Sequence, residues 1–416
     1  MPSALRTPLA LALALVTAAC AGTPTATAPS RWPPRQTPVD IDALVAALAE
    51  ETAALRGLPF TRAVPVAVET PEVITAHLRQ ELAEDREELA RERAIGVALG
   101  TLPATIDLAE VLARFVGAEA QGYYDPDSGR LVLTTEEARH LGTPGPAGLE
   151  ARTTVVHELT HALQHQHFEG RVSPTRAAPP LSDQARARLA LLEGDATLVG
   201  MEWAARRGGR RLLGTDELPG RLQRWADGAQ VLTEIDAPPY VIDAQELPYE
   251  AGVLAVGAMH RLGGWARVNS ALRDLDLRAA EVLHPEREDV AYITLPPTED
   301  PGLASRGLQR VLTRTLGELE LRLYLRLVLR DARAAPLAAH WRGDVLSLYD
   351  GPGGLAARWI VVCDDAAGAR AVAEALAPLT ARWSREGCPG VLGGAPGRCP
   401  GAITAEGPRV VLSRGA

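Results

Sequence analysis

The chain has 416 residues, of which 46% are hydrophobic and 23% charged, enough for a sizeable core in two domains or one elaborated domain with an appendage. Its formal net charge of -9 at pH 7 gives no basis for nucleic-acid binding, and no nucleic-acid partner is expected. All 43 basic residues are Arg, so a mechanism through a lysine Schiff base is excluded.

Arg6 supplies a short positive region, and the apolar run from Leu9 to Val16 is too short to span a bilayer. Thr17-Ala18-Ala19-Cys20 follows and resembles the lipobox of bacterial lipoproteins, with cleavage before Cys20 and lipid added to its thiol. Thr17 stands where Leu is usual, so ordinary secretion with cleavage nearby is the alternative. Ala21 after the cysteine points to the outer membrane in a cell with two membranes. Residues 1–20 are therefore expected to be a lipoprotein signal peptide. Residues 21–38, rich in Pro, Thr and Ala, are expected to be a flexible tether. The expected address is export, with the chain held to the cell envelope by its lipid.

Residues 39–335 read as the main domain. Ile41, Leu44, Val45, Leu48 and Leu55 recur at helical spacing behind Asp40, a plausible cap. Residues 65–69 read as a strand, and 71–100 as one long charged helix of the solvated scaffold type. A short helix is expected over 108–115. Residues 121–133 place two extended runs around Asp125-Pro126-Asp127-Ser128-Gly129, which predicts a β-hairpin. Its Tyr123 and Tyr124 either line a cleft or pack.

After a Gly/Pro-rich loop at 142–148, a helix is expected to begin near 151–154 and to run to Gly170. It carries His157, Glu158 and His161 as H-E-x-x-H. Residues four apart lie one turn apart on one helical face, so the two imidazoles can meet one ion, with the Glu158 carboxylate beside them. Five residues alone are weak: with 9 His, chance produces the pattern in roughly one such chain in a hundred. Val155, Val156, Leu159, Ala162 and Leu163 supply the apolar helical context. His165 continues the histidine stripe as an alternative ligand, a supporting group or an exposed side chain; His167 reads as surface.

The next helix is expected over 184–200. Glu193 sits there among Leu189, Leu192, Ala196 and Val199, where an unpaired charge would be costly. A metal held by the preceding helix would compensate it, giving a His157, His161, Glu193 ligand set with one open position. A salt bridge to Arg186 or Arg188 is the competing explanation. Asp195 is a candidate hydrogen-bond acceptor for a ligating histidine.

HELTHALQHQHF followed by LLEGDA resembles a family of largely uncharacterised bacterial exported proteins of zincin-like fold, and more broadly the gluzincins. QGYYDP, LPYEAG, GGW, VLHPE and WRGD resemble further blocks of that family, so the resemblance covers roughly residues 50 to 375. His165 stands where the family usually has Asp. The resemblance implies Zn2+ at His157, His161 and Glu193, with Glu158 as general base. It implies a metallopeptidase acting on a peptide or protein substrate. A non-catalytic envelope protein on the same scaffold, and a zinc hydrolase of non-peptide amides, are the other readings.

Zinc peptidases commonly place a His or Tyr across the cleft to bind the oxyanion, and Tyr249 and His284 are the candidates. Residues 248–272 read as a pair of apolar helices around Gly263-Gly264-Trp265, and 309–330 as one amphipathic helix closing the domain. Residues 336–416 read as a small C-terminal α+β appendage with strands at 344–349, 357–363 and 409–412 and a helix at 366–379. Cys388 and Cys399 bracket a Gly/Pro-rich segment and form the expected disulfide, which leaves Cys363 over. The expected class is α+β: a mainly helical zincin-like core with a small β-hairpin edge, plus the appendage.

Overall fold

A computed structural model describes residues 40–415, apart from 120, 169–181, 229–236, 288–289, 298, 352–353 and 387–400. Cys20, the lipobox, the tether and the Cys388–Cys399 pair lie outside the described residues. The class is α+β, with helices packed around two small sheets.

Helix α1 (Ile41–Arg56) starts where Asp40 accepts the Ala43 N–H at 3.0 Å. The expected helix over 71–100 is two, α2 (Pro71–Glu84) and α3 (Arg86–Leu99), because Asp85 leaves helical geometry at φ -92° and ψ 17°. Both halves touch the first core, and the break lets the second half reach the other core as well. Helix α2 packs on α4 (Leu108–Glu119), while Ile95, Ala98 and Leu99 of α3 enter the core under the second sheet.

Strands β1 (Val66–Glu69), β2 (Gly122–Asp125) and β3 (Arg130–Thr134) form the first sheet in the order β1-β3-β2. The expected hairpin is the antiparallel β2–β3 pair, and β2 is an edge strand. After α5 (Thr135–Leu141), helix α6 (Pro146–Phe168) begins several residues earlier than its apolar rhythm suggests, with proline in its first turn. Val155, Val156 and Leu159 of α6 pack on Leu131 and Leu133 of β3 and on Leu48 of α1, which fixes the motif helix against the sheet.

Helices α7 (Asp183–Arg207), α8 (Leu218–Gly228) and α9 (Pro239–Arg273) form the helical core. Glycines let α7 and α9 touch backbone to backbone. A Cβ on Gly194 would overlap the Gly252 carbonyl; one on Gly252 would overlap Ala190 O and lie 3.1 Å from Gly194 Cα. Helix α9 is interrupted at Gly263 and Gly264, the latter at φ 61°, so it is a helix pair around the expected point.

Helices α10 (Ala279–Leu283) and α11 (Pro301–Ser305) lead to β4 (Gln309–Arg314), which corrects the expected helix over 309–330. Strand β4 pairs antiparallel with β5 (Trp341–Asp350), and Gly317 at φ 86° separates it from the helix α12 (Gly317–Arg326) that the leucine spacing announced. Helix α13 (Asp331–Ala338) links α12 to β5. Strand β6 (Ala356–Cys363), helices α14 (Ala366–Leu376) and α15 (Pro378–Glu386), and strands β7 (Gly401–Glu406) and β8 (Arg409–Arg414) complete the chain. The second sheet runs β4-β5-β6-β8-β7, so it begins ahead of the expected boundary at 335/336. It shares one core with α3 and α12 through Leu99, Tyr324, Trp341 and Trp359. Cys363 is buried in that core as a free thiol. Among the described residues no helix is long and apolar enough to cross a membrane.

Candidate metal centre

Helix α6 presents His157 and His161 one turn apart, and α7 crosses it with Glu193 opposite them. His157 Nε2 and His161 Nε2 are 3.1 Å apart, and they lie 3.3 and 3.4 Å from Glu193 Oε2. Side chains of His157 and Glu193 are 1% and 0% exposed, and that of His161 is 12% exposed, so His161 marks the side facing solvent. These three residues could hold a metal ion.

Hydrogen bonding decides which atoms face one another. Both amide protons of Gln164 are engaged, by Leu192 O at 3.0 Å and by Asp195 Oδ2 at 3.0 Å. Its Oε1 therefore faces His161 Nδ1 at 2.8 Å and accepts from it. The lone pair of neutral His161 is then on Nε2, aimed at His157 Nε2 and at the Glu193 carboxylate. With both imidazoles neutral and their Nε2 lone pairs turned inward, two ring edges 3.1 Å apart beside a carboxylate can hold a cation between them.

Neither expected arginine supplies that cation. Arg186 pairs with Glu320 at 3.2 Å, and Arg188 donates to Leu275 O. The buried Glu193 carboxylate makes the group favour positive charge. Burial works to lower the His161 imidazole, but Glu193, Glu158 and Gln164 outweigh it and raise it to about 9. Burial likewise works to raise Glu193, but the two histidines outweigh it and hold it at about 2. His157 is lowered, chiefly by burial.

Glu158 lies beside the group. Its Oε2 accepts the backbone N–H of Tyr124, on edge strand β2, at 2.8 Å. Its Oε1 is buried without a hydrogen-bond partner. Burial, reinforced by Glu193, pushes this carboxyl well above its usual range. Tyr249 of α9 stacks on His157 with ring centroids 6.2 Å apart at 19°. Burial, then the Glu193 and Glu158 carboxylates, push its phenol well above 10, so it stays a donor at neutral pH. The Gly194–Gly252 contact produces this placement, because Tyr249 precedes Gly252 by one turn.

The structure thus brings together His157, His161, Glu193, Glu158 and Tyr249. It does not bring His284, which ends α10 with its Nε2 on Glu318 Oε1 at 2.8 Å. His165 does not join the donor set either; its Nδ1 is 2.9 Å from the Tyr124 hydroxyl and 3.5 Å from Arg62 Nη2. His167 bonds Pro59 O at 2.6 Å. By hydrogen bonds Asp195 reaches His161 through Gln164. Gln164 and Arg56, which holds Asp195, were not singled out in the sequence; the one local signal was that Gln164 lies three residues after His161 on the same helix.

Comparison of the chain with protein-family models, with curated proteins and with solved structures finds no match.

Proposed function

We propose that the chain is a zinc-dependent metallopeptidase with a zincin-like core, anchored in the cell envelope through lipid on Cys20. The observation that carries this reading is the buried convergence of His157, His161 and Glu193 with Glu158 beside it. Tetrahedral zinc bonded at roughly 2.0–2.1 Å needs donor-to-donor edges of roughly 3.3–3.4 Å. The three edges here are 3.1, 3.3 and 3.4 Å, so the residues fit the ion. Three protein donors leave a fourth position open, the pattern of catalytic rather than structural zinc.

Zinc, when bound, supplies Lewis acidity that polarises a substrate carbonyl and lowers the pKa of a water. The chain's own residues do the rest. Glu158 accepts the proton of the attacking water at Oε1 while Tyr124 N–H holds Oε2, then passes that proton to the leaving amine. Tyr249 donates its hydroxyl to the oxyanion that develops on the scissile carbonyl. Edge strand β2, whose Tyr124 orients Glu158, ties the first sheet to the site. A role for Glu158 separates this reading from a purely structural zinc site, which has no use for a buried carboxylate next to its ligands.

The test is bound zinc together with casein or peptide hydrolysis, measured for wild type and Glu158→Gln. Zinc in both proteins with hydrolysis only in the wild type is the expected result. Zinc in both with no hydrolysis across an amide library would sink the enzyme reading. For the ligand set, Glu193→Ala is expected to lower zinc occupancy sharply, and unchanged occupancy would remove Glu193 from it.

A further inference from the structure

We infer that Arg56, Asp195 and Gln164 form a positioning relay that fixes the tautomer and aim of His161 and thereby sets metal affinity from outside the ligand set. The inference rests on the zinc reading above.

Arg56 closes α1, 139 residues from Asp195 in sequence, yet both side chains are 0% exposed. Its Nε donates to Asp195 Oδ1 at 2.8 Å and Oδ2 at 3.1 Å, and its Nη2 donates to Asn269 Oδ1 at 2.7 Å. The guanidinium lies 4.4 Å over the Trp265 ring, and Trp265 Nε1 donates to Leu55 O at 3.0 Å. Asn269 and Trp265 both follow the break at Gly263 and Gly264. The interruption of α9 therefore brings its second half to the end of α1.

From Arg56 inward, each group holds the next in place, and Leu192 O holds the Gln164 amide from a second direction. A guanidinium only donates, so the Asp195 oxygens it faces are acceptors. The Gln164 amide next to them must present its NH2, as its 3.0 Å contact to Asp195 Oδ2 shows. Its carbonyl is then turned to His161, which must donate from Nδ1 and keep Nε2 bare. An amide reversed at Gln164 would set oxygen against both Asp195 and Leu192 O, so the amide stays in this orientation. A neutral amide separates the imidazole from the carboxylate, and Arg56 offsets the charge of Asp195. The relay therefore conveys orientation and adds no net charge to the site.

Zinc affinity by chelator competition and the visible absorption of the Co2+-loaded protein test this on the full chain. The proteins are wild type, Arg56→Met, Arg56→Lys and Gln164→Met, and no activity assay is needed. Arg56→Met and Gln164→Met are expected to weaken zinc about 10–100-fold and to alter the cobalt spectrum, with partial recovery in Arg56→Lys. Circular dichroism checks folding; if Arg56→Met does not fold, Gln164→Met, which keeps the Arg56–Asp195 pair, decides. Variants that match the wild type in affinity and spectrum overturn the relay and leave the zinc reading standing. Tighter binding by Arg56→Met also overturns it, because Arg56 would then act only as a charge repelling the ion. A wild type that binds neither metal overturns the zinc reading and the relay with it.

Discussion

Tyr124 donates its backbone N–H to Glu158 Oε2 at 2.8 Å, across 34 residues of sequence, and so joins the small sheet to the motif helix at the carboxylate itself. A glutamine at 158 can accept the same bond and removes a buried acid. Glu158→Gln is therefore expected to be at least as stable as the wild type without metal. Glu158→Ala leaves the Tyr124 N–H unpaired and is expected to cost about 1–3 kcal/mol. Denaturant unfolding of the metal-free proteins measures both, and a Glu158→Gln less stable than Glu158→Ala would contradict the account.

Tyr249→Phe keeps the ring stacked on His157 and removes only the hydroxyl. The hydroxyl also bonds the Glu193 carboxylate, so zinc is to be saturating in the assay; kcat is then expected to fall about 100-fold or more with KM little altered. Steady-state kinetics on any cleaved peptide reads this, and an unchanged kcat would make Tyr249 a packing residue.

Asp183 gives the protein a pH-dependent weakness away from the metal group. Burial pushes its carboxyl from an ordinary 3.8 to about 7, against the Ala279 N–H that it accepts at 3.0 Å and with Asp344 and Glu318 adding to the rise. The folded pKa lies above the unfolded one, so between about pH 4 and 7 the folded state keeps a proton that the unfolded chain releases. This contribution to stability therefore falls as pH rises through that window. Asp183→Asn still accepts from Ala279 and does not titrate, so its melting temperature should decline less steeply than the wild type's from pH 4.5 to 7.5. Parallel curves would refute the assignment.

Asp344 gathers four donors under the second sheet: Leu316 N, Gly317 N and Trp341 Nε1 at 2.8 Å, and Trp359 Nε1 at 3.1 Å. Asp344→Ala strands all four in a buried setting and is expected to cost more than about 3 kcal/mol. A longer glutamate or glutamine would not restore the geometry, since all four donors converge on the two oxygens of the shorter, buried side chain. Unfolding followed by the fluorescence of the buried indoles checks the loss, and a change below about 1 kcal/mol would contradict it.

The metal group was legible because its signals are local or compositional. H-E-x-x-H needs only the helical repeat, and Glu193 stood out as a charge among apolar neighbours. The relay was not legible, because a buried arginine at the end of α1 looks like any helix-terminal arginine until Asp195 and Asn269 are folded against it. Strand β4 resembles a helix in sequence for a related reason. Leu308, Leu312 and Leu316 recur every four residues as in a helix, yet pairing with β5, some thirty residues on, decides the conformation. The break at Asp85 carries no Gly or Pro to announce it; both helices touch the first core, through Leu82 and through Leu89 and Val97, and only α3 goes on to the second through Ile95, Ala98 and Leu99. Strand β7 was hidden in a Gly/Pro-rich tail, and it forms by pairing with β8.

The crossing at Gly194 and Gly252 has a mechanical consequence. Packed side chains yield to pressure and warmth by changing rotamer, but at this crossing no side chain stands between the two helices. The spacing between the carboxylate on one helix and the phenol on the other is set there by main-chain atoms already in contact. Any side chain added at either glycine would push the two helices apart and move that carboxylate and phenol with them.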